Sequence, residues 1–163
     1  MKEKCSIIIP GSYDPVTLGH LDIIKRASEK YEEVYAVVFT NPNKTYRFPV
    51  EDRARMLLLA TEELENVLVS YSNGLVIDYM VDHEISKIIK GYRTELDLPW
   101  ELEQAEWNKK HGGFDTELWK CREGLEEVSS TRVREALDSG ASVENLLPKP
   151  VAEYIRSKTE KTG

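Results

Sequence analysis

Four groups of hydrogen-bond donors recur along the chain. Ser12 follows Gly11, and Thr17 stands three residues before His20 with Gly19 between them. Asn41-Pro42-Asn43-Lys44 offers an ammonium group, and Lys90-Gly91-Tyr92-Arg93 offers two cations. Ser129-Ser130-Thr131 offers three hydroxyls ahead of Arg134. Such donors suit phosphate oxygens, and the cations among them add charge-assisted bonds. Other chemistries find less support. No Ser-His-Asp order stands out, and neither His83 nor His111 has ligand spacing with a cysteine or carboxylate. Each group also has a plainer reading, as a capped turn with a surface histidine, a serine-rich helix cap or a solvated cation. What separates the readings is where the elements of the fold put these groups.

Short apolar runs alternate with helical patterns, which predicts a Rossmann-like α/β fold: a doubly wound, five-stranded parallel sheet with helices on both faces. Residues 5–9, 33–40, 66–71, 85–90 and 116–121 read as strands. Leu21, Ile24, Ala27 and Tyr31 share one helical face, and helices are expected at 50–64, 75–83, 100–110, 129–140 and 150–158. With 163 residues and no linker or repeat, a single domain over 1–163 is expected, with a tail at 159–163 that frays. In such sheets ligands sit beyond the carboxyl ends of the strands. All four donor groups fall there or at helix starts. A helix beginning near Gly19 offers free N–H groups and a positive dipole end, with Thr17 and a potentially charged His20 beside it. Gly11 lets backbone approach a ligand.

Bulk composition narrows the partners. The chain is 40% apolar and 31% charged, with a net charge of -7, so general nucleic-acid binding is not expected. Two cysteines without paired spacing point to reduced thiols and a cytoplasmic protein, and no run approaches a membrane span.

The motifs also carry a resemblance. Thr17-Leu18-Gly19-His20 resembles the His/Thr-x-Gly-His signature of the nucleotidyltransferase superfamily, and Gly11 to Ile24 is similar to the phosphopantetheine adenylyltransferase family. Val128-Ser129-Ser130-Thr131-Arg132-Val133-Arg134 resembles that family's second signature, Ile-Ser-Ser-Ser/Thr followed by a cation. The resemblance implies adenylyl transfer from ATP to 4'-phosphopantetheine, with Mg2+ arriving on ATP and no protein metal site. It implies His20, Lys44 and Arg93 at the reacting phosphate. Ser12, Tyr13, Thr17, His20, Gly91, Arg93, Glu101, Ser129, Ser130, Thr131 and Arg134 would meet ATP. Ser12, Lys44, Leu75, Lys90 and Asn108 would meet the acceptor. Lys90 stands where the family has arginine, Trp100 where it has tyrosine and Glu103 where it has glutamine. Glu126 and Glu127 stand near the expected adenine site, where the family has an aromatic residue. A hexamer and feedback by coenzyme A are implied by resemblance alone. The alternatives are a related transferase using ATP or CTP with another phosphorylated acceptor, and a nucleotide-binding module without catalysis.

Overall fold

The computed structural model describes residues 2–162. Its centre is strand β1 (Glu3–Gly11), whose Ile7, Ile8 and Ile9 are buried because the strand has neighbours on both edges and helices on both faces. β2 (Tyr31–Phe39) pairs with one edge in parallel, from Ser6 opposite Glu33 to Gly11 opposite Val38. β4 (Lys87–Tyr92) pairs with the other edge, Ile7 opposite Lys87. β3 (Val67–Ser72) and β5 (Asp115–Lys120) complete the order β3-β2-β1-β4-β5, all parallel.

Parallel strands need crossovers, and right-handed crossovers put helices on one face while the chain winds one way and on the other face after it reverses. α1 (Leu18–Lys30) and α2 (Val50–Ala60) belong to the first winding. Their Ile24, Ala27, Met56 and Leu57 share a core with Ile7 and Ile9. α5 (Ser130–Ser139) and α6 (Lys149–Thr162) join that core through Val133, Val151 and Ile155. α3 (Val76–Asp82) and α4 (Leu98–Gly112) belong to the second winding. Met80 and Ile85 pack there on Ile8, Val37 and Ile88. α4 contributes no buried residue, so this side is the thinner one. No helix among the described residues is long and apolar enough to cross a membrane.

The expected elements are all present, with shifts that have local causes. Tyr31 is not the last residue of a helical stripe but the buried first residue of β2, where its hydroxyl reaches Glu117. α2 stops at Ala60 rather than residue 64, because the Thr61 hydroxyl donates to the Leu57 carbonyl and closes the turn. Gly91 lies inside β4 rather than after it. A methyl group on Gly91 would stand 2.7 Å from Ile23 Cγ1, so a side chain there would drive α1 off the sheet. α6 continues to Thr162, and of the tail expected to fray Gly163 lies outside the described residues.

Candidate active site

The winding reverses between β1 and β4, and their carboxyl ends diverge there into a cleft of about 540 Å³. Ser12, Tyr13, Thr17 and His20 line one wall, Lys90, Gly91, Arg93 and Glu101 the opposite one, and Ser129 and Ser130 a third. The imidazole and the serine pair, 109 residues apart between His20 and Ser129, therefore face one space.

His20 is oriented by its own helix. Thr17 caps α1 and its side chain accepts from the His20 N–H, while the Thr17 N–H donates to His20 Nδ1 at 3.0 Å. This reciprocal capping makes Nδ1 an acceptor, so a neutral His20 carries its proton on Nε2. Burial pushes the imidazole down to about 4, and the Lys90 and Arg93 charges add to that push. Of the two charge states that the sequence left open for His20, the fold favours the neutral N–H donor. Charging it would desolvate a cation already faced by two others.

Several expected contacts take a different form. Tyr13 is buried at positive φ, its hydroxyl donates to the Ile9 carbonyl at 2.7 Å, and its ring leans on His20 with centroids 4.8 Å apart. That ring occupies the space where a Gly11 Cβ would stand, so the glycine makes room for Tyr13 while its backbone still lines the cleft. Ser130 donates to the Pro15 carbonyl at 2.8 Å, Ser129 Oγ accepts from the Arg132 N–H, and Thr131 Oγ1 accepts from Arg134. The Ser130 proton is thus committed to Pro15, whereas Ser129 and Thr131 only accept and keep their O–H donors, which join the first backbone N–H groups of α5 as donors for an anion. Arg134 donates to the Asp14 carbonyl at 2.8 Å, tying α5 to the turn after β1. Of the four amides at the start of α1, Leu18 N–H is bonded to the Leu146 carbonyl, His20 N–H to Thr17 Oγ1 and Leu21 N–H to the Thr17 carbonyl, which leaves Gly19 N–H for an anion.

On the opposite wall Lys90 Nζ lies 3.6 Å from Glu101 Oε2, an ion pair without a hydrogen bond, and that buried oxygen has no hydrogen-bond partner among the described residues. Arg93 lies 3.7 Å from Asp97 and donates weakly to the Glu126 carbonyl. The Glu126 carboxylate folds back to accept from Gly124 N–H, and Glu127 pairs with Arg132, so neither carboxylate stands unpartnered beside the cleft.

Lys44, Leu75, Asn108, Thr131 and Arg134 do not line the cleft. Lys44 ends an exposed turn after β2, and Leu75 precedes α3, 54% exposed. Both stand at the carboxyl edge of the sheet, Lys44 after β2, which neighbours β1, and Leu75 after β3, one strand further out. Asn108 is half-buried on α4. Sequence reading passed over Arg53, Asp97 and Asp14's full role. Asp14 is buried and accepts from the Arg47 and Phe48 N–H groups, which fastens the β2–α2 loop to the β1–α1 loop. Arg53 had a visible signal, since it shares the apolar spacing of Met56, Leu57 and Ala60.

Comparison with known proteins agrees with this geometry. The cytidylyltransferase-like family matches residues 8–136. The phosphopantetheine adenylyltransferase of Corynebacterium efficiens is 41% identical over 159 residues, covering 97% of this chain and 98% of that protein. A crystal structure assigned as a nicotinate-nucleotide adenylyltransferase from Vibrio parahaemolyticus superposes with a TM-score of 0.63 over 96% of this chain and 93% of its own, at 19% identity, a likeness of fold. By sequence over nearly its full length, and by a cleft at the switch point of its sheet, the chain belongs to the phosphopantetheine adenylyltransferase family.

Proposed function

We propose that the protein transfers the adenylyl group of ATP to 4'-phosphopantetheine, giving dephospho-coenzyme A and pyrophosphate. An oxygen of the acceptor phosphate bonds to the α-phosphorus as the bond from that phosphorus to the pyrophosphate oxygen breaks. The nucleophile is already anionic, so no base has to remove a proton. The obstacle is bringing two anions together, and positioning with charge stabilisation meets it. His20 Nε2–H donates to the α-phosphate as charge builds on its oxygens. Arg93 flanks it, Lys44, Lys90 and Ser12 hold the acceptor phosphate, and the α5 N–H groups receive the leaving pyrophosphate. Glu101 Oε2 offers an acceptor for a ribose hydroxyl.

One observation carries the reading. A neutral imidazole held as an Nε2–H donor shares a cleft with two cations and a helix start, which suits phosphoryl positioning rather than proton abstraction. Mg2+ fits as a companion of ATP bound by phosphate oxygens, where it would neutralise charge. The cleft's carboxylates Asp97 and Glu101 are turned toward Arg93 and Lys90, which does not suit a resident metal. A cytoplasmic setting accords with the free thiols of Cys5 and Cys121. Assembly into a hexamer accords with the exposed apolar Leu68, Tyr71, Leu75 and Val81 around β3 and α3. Feedback by coenzyme A would compete in the same cleft.

Pyrophosphate release with ATP and 4'-phosphopantetheine tests the reaction, with CTP and other phosphorylated acceptors run alongside. Release confined to the first pair is expected. Faster release with CTP or a different acceptor would transfer the assignment to another nucleotidyltransferase reaction, and tight ATP binding without release would leave only a binding module.

A further inference from the structure

Arg53 is 1% exposed, yet its guanidinium meets no carboxylate at hydrogen-bond distance in the contacts it makes. A buried arginine normally pairs with an acid, because an uncompensated charge is costly away from water. Here every nitrogen reaches a neutral oxygen on a different segment. Nε donates to the Phe48 carbonyl at 2.9 Å, Nη1 to the Ser12 carbonyl at 3.0 Å and Nη2 to Thr40 Oγ1 at 2.9 Å. The guanidinium also lies over the Tyr46 ring, 3.9 Å from its centroid.

These contacts continue into the turn that bears Lys44. The Tyr46 hydroxyl accepts from the Asn41 N–H at 2.9 Å. Asn41 in turn builds the turn, its side chain accepting from the Asn43 N–H at 2.9 Å and its carbonyl from the Lys44 N–H at 3.0 Å. One side chain thus reaches Ser12 directly and Lys44 through Tyr46 and Asn41. The rigid fork of arginine can span three segments at once, which a lysine cannot do.

We infer that Arg53 is a positioning residue for the acceptor: it fixes the Lys44 turn against the Ser12 loop, and so sets the half of the site that receives the acceptor phosphate without touching ATP. The inference rests on the proposed reaction for its kinetic consequence, but not for its structural one. A merely structural arginine would weaken the whole fold when replaced. A positioning arginine loosens the 40–46 segment and separates the two substrates' kinetic constants.

The test uses the intact protein with Arg53→Met, and with Tyr46→Phe as a variant that keeps the ring beneath the guanidinium and removes only the tie to Asn41. Amide hydrogen exchange should accelerate about 10-fold or more across 40–46 in both variants while β1 and β4 keep their protection. In pyrophosphate release, the acceptor KM should rise about 10-fold for Arg53→Met and about 3-fold for Tyr46→Phe, with the ATP KM within about 2-fold of the parent. Unchanged exchange at 40–46 in Tyr46→Phe would overturn the inference, even if Arg53→Met fails to fold. So would equal changes in both KM values. If the parent protein releases no pyrophosphate with 4'-phosphopantetheine, the proposed reaction falls while the exchange measurement still decides the role of Arg53.

Discussion

Strand β4 carries one lysine at its start and a second nearer its carboxyl end, and the two live in opposite electrostatic settings. Lys87, at the amino end, donates to Glu117 Oε2 at 2.6 Å and to the Tyr31 hydroxyl at 3.2 Å. Glu117 also accepts from the Trp119 indole at 3.0 Å and from Tyr31. Burial alone would raise the Glu117 carboxyl, but bonds from Lys87, Trp119 and Tyr31 outweigh it and hold the group down at about 2. The same contacts, Glu117 first, hold Lys87 above the usual lysine range. Lys90, at the carboxyl end, has only an ion pair at 3.6 Å to a carboxylate oxygen that lacks a hydrogen bond, and it helps to keep His20 uncharged. One end is a closed set of donors and acceptors. The other holds groups whose needs the protein does not meet, the mark of a site completed by a ligand.

Mutations should separate the ends cleanly. His20→Ala is expected to lower kcat by about 100-fold or more, because a donor aimed at developing charge is lost. ATP affinity measured by calorimetry should stay within about 3-fold, since the amides at the start of α5 remain. A variant with normal turnover would remove His20 from the mechanism. Lys90→Ala should raise the acceptor KM about 10-fold, the size of one charge-assisted bond, with a smaller change in kcat. Lys90→Arg should retain the acceptor affinity or improve it, since a guanidinium can bind phosphate at two points. Loss equal to that of the alanine variant would mean that Lys90 contributes something other than phosphate contact.

Much of this contrast was hidden from the sequence, for a physical reason. Apolar alternation reports strands and helices, so all five strands and the cleft-forming turn at 11–20 could be read along the chain. Donor types and spacing marked Thr17, His20 and the 129–134 group for the same reason. Yet a motif names side chains without saying which atoms are free. The Ser130 hydroxyl is engaged by Pro15, 115 positions away, and only tertiary structure makes that contact. Lys90 and Glu101 are likewise paired across the β4–α4 connection, and Lys87 with Glu117 across neighbouring strands. The charge of His20 stayed open in the sequence because its pKa depends on burial and on the cations Lys90 and Arg93, neither of which is local. Arg53 could have been found, as a charge on an apolar stripe is a conflict that asks for a partner.

The amino end should answer to stability alone. Lys87→Met leaves Glu117 with its neutral donors and only the more distant ammonium of Lys30, 3.9 Å from Oε1. Because both side chains are about a third exposed, the cost should be about 1–2 kcal/mol rather than the larger penalty of a fully buried pair. It would appear as a lower urea midpoint at pH 7, with kcat within about 2-fold of the parent. A larger fall in kcat would couple the two ends and dissolve the distinction.

Acid should open the ends in sequence, because the two downward shifts span different pH windows. His20 sits at about 4 when folded and near 6.5 when unfolded. Between those values the unfolded chain binds a proton that the folded one refuses, so this contribution is complete above pH 6.5 and is lost as pH falls toward 4. Its size is on the order of 2 kcal/mol, after allowance for the side of the ring that borders the open cleft. Glu117 is about 2 when folded and 4.5 when unfolded, so its contribution is complete above pH 4.5 and disappears as pH falls through about 2. Urea midpoints measured from pH 7 to pH 3 should therefore decline in two stages. His20→Gln should flatten the stage between pH 6.5 and 4, and Glu117→Gln the stage below 4.5. Bound ATP should reverse the first stage by raising the His20 pKa, since phosphate supplies the negative charge that Lys90 and Arg93 deny it. If His20→Gln retained the full slope between pH 6.5 and 4, the imidazole would not be the group held neutral in the cleft, and the assignment of an Nε2–H donor to the α-phosphate would lose its footing.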